Sequence, residues 1–443
     1  MEAKNVTKLF DVPITVSNSI LSNFKNQKQK IVKKYVFVKS DCDCKRRRAY
    51  EITIMDLPRS IMVEILSRLP IKPIFRAKSV CKRWYNLITS DPLFVPMYQT
   101  RSLNFPCILL SVDCFNAAIL ELKAGYEYYS RPRNRPVMLI PKFNLPPLKP
   151  KIGGLFYEPK LEIIGSCNGF ICLMDSDKYD ENHSLYISNP LLGEYLKLKL
   201  PAYEKRVRSV AYAFCFSEGC GQYKVLRSVV RKFRGRPEVS ELEVYTLGVD
   251  EKWRNAGKAP YPLCGSFRGS VNVNGALHWL DDENTKKSAS IYSFNIRTEE
   301  VKPVPAPPGL ETPSFCLRIV ELGNCLCLSD NNYFQHVDVW WMREYGIAES
   351  WTKDRILMDS IPPDIPQTNF LPIIIWKDGE ILMQSERATQ LISYNPMEKK
   401  FRMVNVYDNG TAATRYIPSF YSLKTVMGEN FHVSNVYPKT DIV

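Results

Sequence analysis

Residues 54–98 read IMDLPRSIMVEILSRLPIKPIFRAKSVCKRWYNLITSDPLFVPMY, a compact helical module that the rest of the chain follows as cargo. Leu57-Pro58 starts a helix, with Asp56 as a cap-like carboxylate and a proline that needs no N–H partner in a first turn. Apolar residues then fall at Ile61, Met62, Ile65, Leu66 and Leu69, a helical stripe with Glu64, Ser67 and Arg68 off it. Pro70 stops that helix and Pro73 opens a short second one. A third helix holds Val80, Trp84, Leu87 and Ile88 on one side, and Asp91-Pro92 ends it, because the residue before proline is turned away from helical geometry.

Three helices in about 45 residues bury too small a fraction of their surface to make a good core alone. Leu57, Pro58, Ile65, Leu66, Leu69, Pro70, Val80 and Trp84 are more apolar residues than the stretch can hide. They must serve both an interior and an outer surface, which predicts a helical partner docked on an apolar patch.

With those residues in register, the stretch resembles the F-box, the helical motif that docks on the Skp-type adaptor of cullin–RING ubiquitin ligases. The match runs through Leu57-Pro58, the run Ile65 to Pro70, Val80-Cys81-Lys82 and Trp84. It implies adaptor contact through Leu57, Pro58, Ile65, Leu66, Leu69, Pro70, Val80, Cys81 and Trp84. Plant members often carry a histidine shortly after the Pro-x-Phe step, where this chain has Phe94-Val95-Pro96-Met97-Tyr98. That departure touches the exit from the motif. A partnerless helical bundle is the competing reading, but it has no use for two Leu-Pro steps and a Cys-Lys-x-Trp step in one register.

The whole chain has 443 residues, 45% apolar and 24% charged, an ordinary globular composition long enough for two or three domains. It holds no run of about 18 apolar residues that would span a membrane. The first twenty residues lack the apolar core of a secretory signal. An intracellular protein, cytoplasmic and/or nuclear, is therefore expected, and its 13 cysteines read as reduced thiols. Cys42-x-Cys44 and Cys325-x-Cys327 are one residue too close for the usual zinc hairpin, and the four histidines are scattered. Neither metal nor cofactor is expected, and without a RING-type ligand ladder the chain does not read as a self-contained ligase.

The net charge of +14 is concentrated at one end. Residues 1–50 carry twelve Lys/Arg against four Asp/Glu, and residues 51–98 carry seven against four. The remaining 345 residues add only +3, so the basic balance describes a leader more than a folded surface. Nucleic-acid binding wants a clustered patch on a folded domain and is not expected here. Lys45-Arg46-Arg47-Arg48 is read either as a nuclear-import signal or as a solvated charge run. The division expected is a flexible basic leader over 1–50, the helical module over 51–98, a linker with a first β-hairpin over 99–160, and a β domain over 161–443.

Cys107 to Val112 and Ala118 to Leu122 look like the arms of that hairpin. The prolines from Arg131 to Pro150 exclude helix and central strand. From 161 onward a theme recurs every 45–55 residues: a strand, an Asn-Gly-like turn, a second strand, an aromatic strand and a strand running into prolines. Its turns include Asn168-Gly169, Asn274-Gly275, Gly323-Asn324 and Asp378-Gly379, two-residue turns whose twist suits adjoining strands. Tyr212 to Phe216, Tyr223 to Arg227 and Leu242 to Leu247 fit one more unit. Such sheets cannot bury both faces alone, and radial stacking into a β-propeller solves that. Five units lie within 161–407, and the 105–123 hairpin with Phe420 to Val426 is expected to close a sixth; seven also fits.

These segments carry a second resemblance. GSCNGFICL, LYISNP, YAFCFSEGCGQYKVLR, LEVYTLGVDEKWRN, VNGALHWL and ISYNPMEKKFR look like the F-box-associated, kelch-like domain of plant F-box proteins. The kelch Gly-Gly step itself is absent from the repeats, since Gly153-Gly154 lies outside them. The leader is longer than the family usually shows, so a start further along the chain is one reading of it. The expected fold is thus α+β and multidomain, a three-helix F-box followed by an all-β propeller of about six blades.

Catalytic patterns are sparse. Trp279, Trp340, Trp341, Trp351 and Trp376 read as blade packing rather than a ligand cage. His278 reads as a hydrogen-bonded core residue, and Cys325 and Cys327 as core filling. Asp281-Asp282-Glu283 and Glu299-Glu300 read as surface turns without a nucleophile to serve. No P-loop, G-x-S-x-G or H-E-x-x-H occurs.

The resemblances imply a non-catalytic substrate receptor of an SCF-type ligase. Its partners are a Skp-type adaptor, through it cullin and RING subunits, and a protein substrate whose binding residues the sequence does not name. Such a receptor works by proximity and needs no catalytic residue. Truncating Leu66 or Trp84 as buried interface anchors is expected to cost about 2 kcal/mol of adaptor binding. A non-degradative F-box interaction protein, a propeller enzyme and a leader that binds nucleic acid remain as alternatives. Client specificity is expected in the loops at 125–150, 175–183, 231–238, 281–288 and 359–370.

Overall fold

A computed structural model describes residues 57–102, 107–111, 116–121, 140–146, 161–175, 183–202, 206–231, 239–258, 270–280, 289–310, 317–332, 335–361, 368–376, 379–385, 390–404, 412–429 and 431–436. The leader, Asp56, the Lys45–Arg48 run and the Arg131–Pro136 stretch lie outside these residues. The chain divides into two compact units, Met1–Ile65 and Leu66–Val443.

The first unit contributes Leu57, Pro58 and most of helix α1 (Arg59–Leu66). The Pro58 carbonyl accepts from Ile61 N at 3.0 Å and Met62 N at 3.1 Å, so the proline stands just ahead of the first helical residue. Met62 and Val63 are buried.

The second unit opens with three more helices. Pro70 precedes α2 (Ile71–Lys78), whose buried Ile71, Ile74 and Ala77 repeat every third residue. Pro73 sits inside its first turn, where no N–H is missed. In α3 (Lys82–Ser90), Trp84, Leu87 and Ile88 face inward as expected. Val80 does not share that face: Cys81 is fully extended at the N-cap, so the helix begins at Lys82 and Val80 precedes it, 38% exposed. Asp91 leaves helical geometry, as a residue before proline should, and its Oδ1 then accepts from Leu93 N and Phe94 N. That cap starts a fourth helix beyond the three expected, α4 (Phe94–Ser102), which buries Phe94, Tyr98, Gln99 and Ser102.

Six antiparallel sheets follow, each an up-and-down blade numbered here from its innermost strand. Blade 1 joins β24 (Ala412–Tyr416) to β1 (Cys107–Ser111), β2 (Asn116–Glu121) and β3 (Ile140–Asn144). Blade 2 is β4 (Leu161–Cys167), β5 (Phe170–Asp175), β6 (Leu185–Asn189) and β7 (Glu194–Leu198), with β25 (Ser434–Asn435) added at its edge. Blade 3 is β8 (Val207–Ser217), β9 (Gln222–Arg231), β10 (Val239–Thr246) and β11 (Arg254–Lys258). Blade 4 is β12 (Val271–Val273), β13 (Ala276–Leu280), β14 (Ile291–Asn295) and β15 (Val301–Val304). Blade 5 is β16 (Leu317–Leu322), β17 (Cys325–Asn332), β18 (His336–Met342) and β19 (Trp351–Leu357). Blade 6 is β20 (Phe370–Trp376), β21 (Glu380–Ser385), β22 (Leu391–Asn395) and β23 (Lys400–Val404).

The inner strands meet around a ring: β24 touches β4, β4 touches β8, β12 touches β16, β16 touches β20 and β20 returns to β24, while β8 meets β13 of blade 4. Both residues of the Asn168-Gly169, Asn274-Gly275 and Gly323-Asn324 turns have positive φ, the left-handed pair that a tight hairpin needs. Blade 1 is built from both ends of the domain. The 105–123 hairpin is present as β1 and β2, but its inner neighbour is Ala412–Tyr416, with Leu109 opposite Thr414. Phe420 to Val426 does not form the expected closing strand: Pro418 interrupts the extended run, and Ser422 caps a short helix α5 (Leu423–Met427). Pro141 lies in the outermost strand β3, the place a sheet tolerates proline.

Candidate functional site: helical face, joint and channel

The residues expected to meet an adaptor are unequally available. Pro58 is exposed; Leu57, Ile65, Leu69, Pro70 and Cys81 are half-buried, and Val80 is exposed. Leu66 and Trp84 are each 1% exposed, so they serve the interior. Their expected role as interface anchors is corrected accordingly: a side chain with almost no accessible surface supports the helices rather than touching a partner.

Helices α2 and α4 pack on the propeller through side chains distant in sequence. Ile71, the first residue of α2, donates its N–H to Oε1 of Glu121 at 2.7 Å. Glu121 ends β2 and is buried, so a carboxylate from blade 1 sits at the positive end of α2. Gln99 Nε2 of α4 donates to Oδ1 of Asn168 at 2.5 Å, and Asn168 is held in turn by the Tyr223 hydroxyl. Arg101 hydrogen-bonds the Ser67 hydroxyl.

An aromatic cluster completes this joint. Phe420, 1% exposed, lies 6.4 Å from the Phe75 ring of α2 and 5.8 and 4.9 Å from the Phe94 and Tyr98 rings of α4. Phe143 of β3 lies 5.7 Å from Phe75. The segment bearing Phe420 is tied to blade 2. Asn189 Nδ2 donates to the carbonyls of Ser419 and Tyr421, at 3.1 and 2.7 Å. Glu194 accepts from the Ser422 hydroxyl and from Leu423 N at 2.6 Å, which caps α5. Gly169, at φ +93°, presses against Ser419, and a side chain there would collide with it. No sequence pattern announces this joint, because its parts come from residues 71–99, 121, 143, 168–194 and 419–423.

The ring encloses a cavity of about 1390 Å³. Ile163, Val271, Ile319 and Ile373 from four inner strands give it apolar walls, and Arg318, Glu321, Arg343 and Arg415 add charge. Arg415 Nη1 pairs with Glu321 Oε2 at 2.8 Å, joining β24 to β16 past the intervening blade 6. Asp175 and Leu185, which flank the client loop expected at 175–183, lie at the far ends of their strands from the Asn168 turn that meets α4. Most of the expected loop residues, including 176–182, 232–238, 281–288 and 362–367, lie outside the described residues.

Residues with chemical potential are mostly absorbed by packing. Trp279, Trp341, Trp351 and Trp376 are buried in clusters between successive blades, and the indole N–H groups of Trp351 and Trp376 donate to the Pro305 carbonyl and the Ser393 hydroxyl. Trp340 packs on the edge of one cluster under Lys353. His278 is fully buried, 2.7 Å from the Tyr345 hydroxyl, and burial pushes its pKa down to about 4, away from general-base work near neutrality. Cys327 fills the core between blades 5 and 6, while half-buried Cys325 reaches the channel. Glu300 pairs at the surface with Lys302 at 2.8 Å, but Glu299 departs from a simple surface turn, being held by Lys224 and Arg254. Asp281 to Glu283 lie outside the described residues. Among the described residues no three His, Cys, Asp or Glu side chains gather to hold a metal ion, and no helix is long and apolar enough to cross a membrane.

Comparison with known proteins places both parts. The F-box domain model matches residues 54–96, and the model described as "F-box associated beta propeller domain" matches residues 154–436. The chain is 29% identical over 382 residues to the F-box protein At3g07870 of Arabidopsis thaliana, covering 78% of this chain and 86% of that one. It is 26% identical to the F-box/kelch-repeat protein At3g23880 of the same plant, over 78% and 89% of the two chains. The F-box protein CPR1, also of Arabidopsis thaliana, is 25% identical over 84% and 87%. Helices read from their prolines and a ring closed by strands from its two ends therefore meet in one lineage, and this chain belongs to the plant F-box proteins that carry an F-box-associated β-propeller.

Proposed function

We propose that the chain is the substrate-recognition subunit of an SCF-type cullin–RING E3 ubiquitin ligase. In this reading the F-box helices bind a Skp-type adaptor, which brings the cullin and RING subunits. The propeller binds a client protein, and the chain itself performs no catalytic step. Catalysis is then proximity: a client held near a charged conjugating enzyme reacts as if both belonged to one molecule. The observation that carries the reading is the F-box match over 54–96 in a chain that leaves Pro58 and Val80 of that stretch exposed. A helical module too short to bury its apolar residues leaves them for a partner to cover. Leu57, Ile65, Leu69, Pro70 and Cys81 add their half-buried surfaces. The working compartment is the cytoplasm, the nucleus or both.

The test is affinity purification of the full chain from plant extract, with Val80→Asp alongside. Adaptor and cullin recovered with the wild type and lost with Val80→Asp support the reading. Their absence from the folded wild type overturns it. Adaptor binding without ubiquitin transfer to any co-purified protein would select a non-degradative F-box protein instead.

A further inference from the structure

We infer that Phe420 is a positioning residue: the segment that follows the ring-closing strand, rather than the covalent link after α4, fixes α2–α4 in one orientation on the propeller. Only residues 103–106 separate α4 from β1. So short a connection limits distance, but a single covalent link does not by itself fix the orientation of three packed helices. Orientation must come from packing. Phe420 is the side chain on which both helices converge, with the rings of Phe75, Phe94 and Tyr98 around it. Its own backbone cannot drift, since carbonyls on either side of it are held by Asn189 and the next turn is capped by Glu194. A continuous path of contacts therefore runs from blade 2 through 419–423 into α2 and α4. Its functional meaning rests on the receptor reading above: if α2–α4 belong to an adaptor-binding module, Phe420 sets where a client on the propeller stands relative to the ubiquitin donor.

The test uses the full-length chain with noncanonical residues at exposed Asn86 of α3 and Met397 of the β22–β23 turn, each carrying a spin label. Pulsed dipolar spectroscopy reads the distance distribution in wild type, Phe420→Ala and Phe94→Ala, beside thermal melting of the β signal. Phe94 is chosen because its ring meets Phe420 from the helical side, whereas Phe75 also meets Phe143. The expected result is one narrow peak in the wild type, lost in both variants, with propeller melting unchanged in Phe94→Ala. A narrow peak retained in both variants overturns the inference. If Phe420→Ala fails to fold, Phe94→Ala decides alone: its broad distribution supports the inference and its narrow one overturns it. Distances are measured without adaptor, so a wild type that binds no adaptor defeats the proposed function and leaves the joint judged on its own readout.

Discussion

Lys224 of β9 and Glu299 of the β14–β15 turn lie 2.6 Å apart, joining blade 3 to blade 4. Lys224 Nζ also donates to the Ile296 carbonyl at 2.8 Å, and Arg254 reaches both Glu299 oxygens. Glu299 has φ +61°, a turn geometry uncommon for a side chain of its size, so the network holds a residue whose backbone does not favour its place.

Hydrogen bonds from Arg254, and after an opposing desolvation those from Lys224, pull the Glu299 carboxyl from its ordinary 4.5 down to about 2. A depressed carboxylate contributes stability above its unfolded pKa, and that contribution is lost as pH falls. Glu299→Gln should therefore lower the urea midpoint at pH 7, and the gap from wild type should narrow as pH drops from 4.5 towards 2. Removing the charge leaves the Lys224 ammonium, 5% exposed, against a carbonyl, a loss of about 3 kcal/mol. A gap independent of pH would show that the carboxylate charge is not what joins these blades.

Leu66→Ala and Trp84→Ala should each destabilise the helical module by about 3 kcal/mol, the cost of emptying a packed site. Val80→Asp, at a position 38% exposed, should leave stability within about 0.5 kcal/mol of wild type. Adaptor titration beside chemical denaturation separates the cases: Val80→Asp loses affinity at constant stability, whereas the two alanine variants lose affinity in proportion to unfolding.

Glu121→Gln removes the carboxylate at the N-terminus of α2 while keeping its shape. The amide oxygen still accepts from Ile71 N, so the loss is the charge–dipole attraction, about 0.5–1 kcal/mol, and amide exchange across α2 should quicken a few-fold. Exchange in β13 and β14, on the other side of the ring, should not change.

Thr414→Pro tests ring closure. Ala413 N donates away from β1, to Gln384 Oε1 at 2.9 Å, so the alternation of a strand turns the Thr414 N–H towards β1. Proline at 414 removes that ladder bond and a donor that closure depends on. The thermal transition should fall and broaden; an unchanged transition would mean that β24 does not hold the ring shut.

Much of this architecture was legible because its signals are local. Pro58, Pro70 and Asp91-Pro92 mark helix ends within one turn of where they occur, and Asn168-Gly169 and Asn274-Gly275 fix their hairpins through backbone geometry alone. Blade count followed from repetition. The closing strand was missed because Ala-Ala-Thr-Arg-Tyr has little strand character of its own and owes its shape to β1, some 300 residues earlier. Helix α4 was missed because Asp91-Pro92 read only as the end of α3, whereas Asp91 also caps a new helix whose first turn accommodates Pro96. Of the candidate site, residue identities were readable, but burial was not: Leu66 and Val80 are both apolar, and only packing separates the one inside from the one outside.

The ring's closure also sets an order of events during synthesis. Domains fold as they leave the ribosome, N-terminal parts first. Phe75, Phe94 and Tyr98 therefore emerge more than 300 residues before Phe420, the ring that covers them, and β1 waits as long for β24. Throughout that interval the nascent chain presents a bare aromatic cluster and an unpaired strand edge, the two surfaces that chaperones bind and that aggregation exploits. A chain cut before residue 412 lacks both β24 and Phe420, so neither surface is covered until residues 412–420 have been made.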